Sequence, residues 1–130
     1  MTMELGCKGR AETIVTPEKT AKTAGSGALD VFATPFMAAL MEEAAWTSIQ
    51  PYLEDGQGSV GIALKLTHDA ATPVGMKVWA ESTVTAINGR KVSFSITAYD
   101  ETGIIGTCDH QRAIIDNEKF FTRCQNKLSH

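Results

Sequence analysis

Two carboxylates, Glu42 and Glu43, stand in an otherwise apolar run from Phe36 to Trp46, and one imidazole, His68, ends a strand-like stretch further on. A helix apolar on nearly all sides is normally buried by its surroundings. An unpaired ionised carboxylate costs several kcal/mol there, so an acid held in that helix points to chemistry. Helical spacing puts Glu42 on a stripe with Ala38, Ala39, Ala45, Trp46 and Ile49, and Glu43 on one with Ala39, Leu40 and Thr47. Spacing favours neither. His68 keeps step with Val60, Ile62, Leu64 and Leu66, which places it on the core-facing side of a strand end. A histidine there more often simply packs, but a pKa near neutrality makes it a usable donor or acid/base.

Three further residue types carry a structural and a chemical reading together. Thr34, just before Pro35, reads first as a helix cap. Arg112 alternates in phase with Ile104, Gly106, Cys108, His110 and Ile114, and fits an edge charge or an anion contact. Cys108 reads as a small buried apolar residue; a nucleophilic thiol served by His110, two residues on, is the weaker alternative. No glycine-rich phosphate loop or G-x-S-x-G elbow is present.

The elements that must position these groups follow from periodicity. Arg10 to Thr16 alternates as a short strand closed by Pro17, and Thr20 to Gly27 is small and polar, a loop or a mobile flap. Thr34-Pro35 begins a helix that runs to about Gln50 and ends before Pro51. Its alanines, Ala38, Ala39, Ala44 and Ala45, let another backbone come close. Thereafter the period is two. Val60 to Leu66 forms a strand with one buried face, and Val78 to Ala86 forms the next. Asn88-Gly89 predicts a type I′ hairpin into Val92 to Ala98, and Asp100 to Gly103 turns into a last strand, Ile104 to Ile115. The tail from Asp116, with Phe120, Phe121 and Leu128, fits a short docked helix. The class is α+β: a five-stranded antiparallel sheet with one apolar helix against it, curled round that helix. Such a sheet has two edges, and pairing with a second copy covers one of them.

Composition narrows the classes. At 130 residues the chain fits one domain over 1–130. A formal charge of −3 without any Lys/Arg run gives no nucleic-acid surface. The apolar stretches fall short of the ~20 residues that cross a bilayer, and Met1 to Arg10 lacks the apolar core of a signal peptide. Cys7, Cys108 and Cys124 are an odd number without metal-ligand spacing, which fits reduced thiols in a cytoplasm and no zinc site.

Five segments in order, Val31-Phe32-Ala33-Thr34-Pro35-Phe36-Met37, Leu40-Met41-Glu42, Gly58-Ser59-Val60-Gly61, Thr67-His68-Asp69-Ala70-Ala71-Thr72-Pro73 and His110-Gln111-Arg112-Ala113, resemble the hotdog-fold acyl-CoA thioesterases. The resemblance is to the group that includes the fluoroacetyl-CoA thioesterase and covers roughly residues 10 to 122. It implies a hotdog domain working as a homodimer, and hydrolysis of a short acyl-CoA to acid and free CoA. No metal and no cofactor beyond the substrate's own CoA is implied. The family's catalytic threonine, glutamate and histidine fall on Thr34, Glu42 and His68, and its ligand-side glycine and arginine on Gly61 and Arg112. The match selects Glu42 over Glu43. It implies that Glu42 acts as base on water or attacks directly, while His68 orients it and protonates the leaving thiolate. Oxyanion donors would come from the helix start after Thr34 and the backbone near Gly61.

One stretch departs from the pattern. The fluoroacetyl-specific enzyme has phenylalanines in the flap before the helix, where this chain reads Ala24-Gly25-Ser26-Gly27-Ala28-Leu29. A flap of small residues seals an acyl pocket less tightly and discriminates fluorine poorly. Two other functions fit the same fold: an acyl-CoA binding protein without turnover, and an acyl-CoA hydratase or dehydratase. Eight residues of regular helix rise about 12 Å, too far for Thr34 and Glu42 to share one bond. Either a dimer interface or an irregular helix start must gather them.

Overall fold

The structure is a computed structural model and describes residues 3–129. Strand β1 (Lys8–Ile14) leads through a short helix, α1 (Ala21–Ala24), to the long helix α2 (Thr34–Ile49). Four strands follow: β2 (Gln57–His68), β3 (Lys77–Asn88), β4 (Lys91–Asp100) and β5 (Gly103–Asp116), and α3 (Asn117–Gln125) closes the chain. They form one antiparallel sheet in the order β1-β3-β4-β5-β2. The α+β expectation of five strands around one helix therefore holds.

The core is the seam between α2 and the sheet. Met37, Leu40, Met41, Ala44, Ala45 and Ile49 on the helix meet Val78, Ala80, Val84, Phe94, Ile96 and Ala98, all buried. The small helix residues work as expected. A Cβ on Gly9 would run into the Ala44 carbonyl and Ser48 Cβ, and Ser82 Oγ donates to that same carbonyl at 3.1 Å. Strand β1 thus lies almost on the helix backbone.

The helix is not enclosed all round. Pro35, Phe36, Ala39, Glu43, Trp46 and Thr47 form an exposed stripe in the single chain. Its start also differs from the expected cap: Ala33 is the N-cap, without a side-chain bond, and Thr34 is already helical. Phe36 and Met37 N–H both donate to Ala33 O at 3.0 Å, and Pro35 has none to give. The start is regular, so no irregular turn draws Thr34 toward Glu42.

One turn and two strands correct the periodicity reading. The β3–β4 hairpin turns on Gly89 and Arg90, and only Gly89 takes a positive φ, of 61°. That is the requirement of a type II′ turn, with glycine first, rather than of I′. Strand β2 carries a bulge between Gly61 and Ala63, so its alternation changes phase midway. Ile62 and Leu64 are 46% and 41% exposed on this edge strand and Val60 is only partly buried, so the three do not form one buried face. A second bulge, at the start of β5, turns Ile104 outward and buries Ile105 in its place.

The stretch before α2 is tied down rather than loose. Thr20 caps α1 by accepting from Thr23 N–H, and Gly25 ends it with φ 77°. Ala21 and Lys22 N–H donate to Val31 and Leu29 carbonyls at 2.8 and 3.1 Å, and Phe32 N–H to Thr72 O at 2.9 Å. Thr72 Oγ1 in turn donates to the buried Asp100 at 2.7 Å. Helix α3 forms, with Asp116 accepting from Lys119 N–H, but all of its residues are exposed. It is a helix without the expected docking.

Candidate active site

The candidate residues fall into two groups along β2. At one end, Thr34 Oγ1 and His68 Nδ1 lie 2.7 Å apart, a short hydrogen bond between the first turn of α2 and the last residue of the strand. They line a cavity of about 220 Å³ shared with Ala21, Ser26, Val31 and Ala71. His68 Nε2 is buried without a hydrogen-bond partner. A buried polar atom of that kind is accounted for by a catalytic role or by a bound water. Burial lowers the His68 pKa below its usual value, while the Ala70 backbone and the Asp69 carboxylate pull the other way.

Towards the other end stands Glu42, two turns down the helix. Arg112 Nη1 donates to its Oε2 at 3.0 Å. The carboxylate remains about one third exposed, whereas the guanidinium is nearly enclosed, so the pair opens to solvent on the Glu42 side. Gly61 supplies the room. A Cβ there would press into Glu42 Oε2 and lie 3.3 Å from His110 Cε1 and 3.4 Å from Arg112 Nη1. Glu43 is exposed and takes no part.

The β2 bulge is what makes one site of these pieces. Gly61 and His68 are seven residues apart, an odd number, and strict alternation would put them on opposite faces. With one residue inserted between Gly61 and Ala63, both face α2. Sequence alternation alone placed Gly61 opposite Leu64 and His68.

Arg112 is not a free anion contact in this chain. Its Nε donates to Ser59 Oγ at 2.8 Å and its Nη2 to Ser59 O at 3.0 Å. Its Nη1 is also 3.2 Å from His110 Nε2. His110 Nδ1 lies 2.7 Å from Ala63 O, which can only accept, so the proton is on Nδ1 and Nε2 takes a hydrogen bond from Arg112. Burial and then the neighbouring Arg112 charge lower the His110 pKa, against the Ala63 carbonyl and Glu42. Spacing does not single out Ser59 and His110 as partners of Arg112; both stand in segments that carry the resemblance, and His110 also shares its phase with Arg112 and Cys108.

The thiol alternative fails. Cys108 is buried, its pKa is pushed up to about 11 by burial first, and His110 is committed to Ala63 and Arg112. It packs as a small apolar residue, as expected. Among the described residues no group of three or more His, Cys, Asp or Glu gathers in metal-binding range. At the helix start, the Phe36 and Met37 N–H groups are both spent on the Ala33 carbonyl.

An antiparallel sheet wrapped on one long helix, with a Thr–His pair at the helix start and a carboxylate eight residues on, defines a hotdog-type fold with a candidate hydrolytic site. The chain belongs to the fluoroacetyl-CoA-specific thioesterase family, whose model matches residues 15–118. It is 43% identical over 98 residues to a fluoroacetyl-CoA thioesterase of Streptantibioticus cattleyicolor, covering 75% of this chain and 70% of that protein. A crystal structure of the fluoroacetyl-CoA thioesterase superposes with a TM-score of 0.91 at 36% identity, covering 98% of each chain. A Thermus thermophilus thioesterase superfamily member gives 0.87 at 30% identity, over 97% of this chain and 96% of that one.

Proposed function

We propose that this chain is a cytoplasmic acyl-CoA thioesterase that hydrolyses a short-chain acyl-CoA to the acid and free CoA, as one domain over 1–130 and as a homodimer. The observation that carries the reading is the orphaned His68 Nε2 beside the Thr34 hydroxyl, in line along β2 with a carboxylate held by Arg112. Only the substrate's own CoA enters; no metal or other cofactor is required. Glu42 supplies the base for water or the direct nucleophile, and His68 supplies a proton to the departing thiolate. Thr34 holds the ring by the bond at Nδ1.

Two copies are needed because one chain keeps the groups apart. Thr34 bonds His68 and Glu42 bonds Arg112, with about 12 Å of helix rise between Thr34 and Glu42. Strand β2 is an edge strand bearing exposed Ile62 and Leu64, a surface that second copies commonly cover. Antiparallel pairing of β2 with its copy about an axis near Leu64–Lys65 sets Gly61 of one copy opposite His68 of the other. Glu42 of one and His68 of the other then border one cleft.

Release of free thiol from a panel of short acyl-CoAs tests the activity. Glu42→Gln is expected to lose turnover by about 10²-fold or more while substrate binding is retained. No thiol from any acyl chain would favour a binding protein instead. Mixing Glu42→Gln with His68→Ala tests the shared cleft. A random mixture forms half heterodimers, each with one intact site, and regains about a quarter of parent activity if the site is isologous. Recovery that stays at the level of the separate variants would refute sharing.

A further inference from the structure

Apart from Glu42, the partners that hold the Arg112 guanidinium, Ser59 and His110, have no assigned role. Nε and Nη2 are gripped by Ser59 through its hydroxyl and its carbonyl, at 2.8 and 3.0 Å. Nη1 sits between Glu42 Oε2 at 3.0 Å and His110 Nε2 at 3.2 Å. His110 is itself fixed: its Nδ1 is tied to Ala63 O just past the β2 bulge, and its ring stacks on Phe94 with centroids 5.7 Å apart. A guanidinium is planar, so fixing Nε and Nη2 on one side and offering an acceptor on the other leaves Nη1 one direction.

We infer that His110 and Ser59 are positioning residues, which lock the Arg112 guanidinium so that Nη1 is delivered to Glu42 beside Gly61. The inference rests on Glu42 being the working carboxylate of the proposed thioesterase. His110 acts as a neutral acceptor. Were its proton on Nε2, two donors would face each other at 3.2 Å and Arg112 would swing off Glu42. The bulge serves this arrangement too, since it sets Ala63 O to receive the Nδ1 proton. Neither residue touches substrate in this account. Both act through Arg112.

The ring's two nitrogens can be separated by substitution. In His110→Asn the amide stands near the former Nδ1 and keeps a donor for Ala63, but offers nothing to Arg112. In His110→Gln the amide oxygen reaches the former Nε2 and keeps the acceptor. We expect His110→Asn to lower kcat about 10-fold or more with KM changed less than about threefold, since a small misplacement of a catalytic group is enough. His110→Gln should recover most of that loss. Ser59→Ala, a milder change should His110 variants fold poorly, should lower kcat several-fold. Its effect should be less than multiplicative with His110→Asn, because both act on one guanidinium.

Equal kcat for the Asn and Gln variants, or fully multiplicative Ser59 and His110 effects, would overturn the inference. A nitrogen-15 spectrum of the parent gives an independent reading, with His110 expected as the Nδ1–H tautomer at pH 7. An Nε2–H or doubly protonated ring there also overturns it. A parent chain that releases no thiol defeats the thioesterase reading alone, because the tautomer still reports whether Arg112 is held.

Discussion

His68 is a partly buried imidazole and His110 a fully buried one, and burial lowers the pKa of both, yet they differ in what a proton would do. His68 keeps one nitrogen unpartnered and faces a cavity, so its titration is coupled to the reaction. With its pKa below the usual 6.5, the protonated ring that serves the departing thiolate is depleted at neutral pH, and the limb of kcat owed to it is a fall as pH rises, centred below pH 6.5. A pH–rate profile checks this, since the limb should vanish in His68→Gln and should not lie above 6.5. His110 is tied on both nitrogens, and its titration is coupled to stability. The unfolded ring takes a proton near 6.5 while the folded one resists until lower pH, so stability falls as pH drops from about 6.5 through the folded value. Thermal melting between pH 7 and pH 5, compared with His110→Gln, reads that slope. Cys108→Ala should leave turnover essentially unchanged in the same thiol assay, because its raised pKa keeps it a thiol.

The elements explain which of these residues could be read from the chain beforehand. The helix start was visible in Thr34-Pro35, the last three strands in their alternation, and the hairpin in Asn88-Gly89, because those signals are local. The β2 bulge was not. An inserted residue leaves no mark on composition, and Val60, Ile62 and Leu64 alternate as smoothly as in an unbroken strand. The resemblance placed Gly61 at the site where alternation pointed it away. His110 and Ser59 stayed hidden because they act through a third residue. Two glycines separate function from fold at this scale. Gly61→Ala presses on the movable end of Glu42, and should lower kcat about 10²-fold with little change in melting temperature. Gly9→Ala presses on the Ala44 backbone, and should cost about 1–3 kcal/mol and several degrees of melting temperature.

At the scale of the molecule two groups of exposed apolar side chains lie next to the candidate site's own elements, β2 and α2. Ile62 and Leu64 lie on the free edge of β2, and Trp46 and Phe36 on the open stripe of α2, each more than a third exposed. A charge at the edge, as in Leu64→Glu, is expected to give a folded monomer by sedimentation that has lost turnover. A variant that stays dimeric and active would place the partner elsewhere. The stretch before α2 has its own consequence for substrate choice. It is pinned by backbone bonds at Ala21, Lys22 and Phe32, but its tip, Ala24 to Ala28, carries no large side chain. Fluoroacetyl-, acetyl- and propionyl-CoA should therefore be turned over with kcat/KM values within about tenfold of one another, since small-group discrimination in an apolar pocket is weak. A preference for fluorine of more than a hundredfold would contradict that.

The extra residue between Gly61 and Ala63 makes the count from the carboxylate's neighbour to the imidazole odd where a plain ribbon demands even. Straightening the ribbon with Ile62 kept in register would leave an odd count in strict alternation and turn one half of the machinery to the outside. The irregular pairing at this spot, rather than side-chain identity, is what this length of strand depends on to keep the two residues on one side.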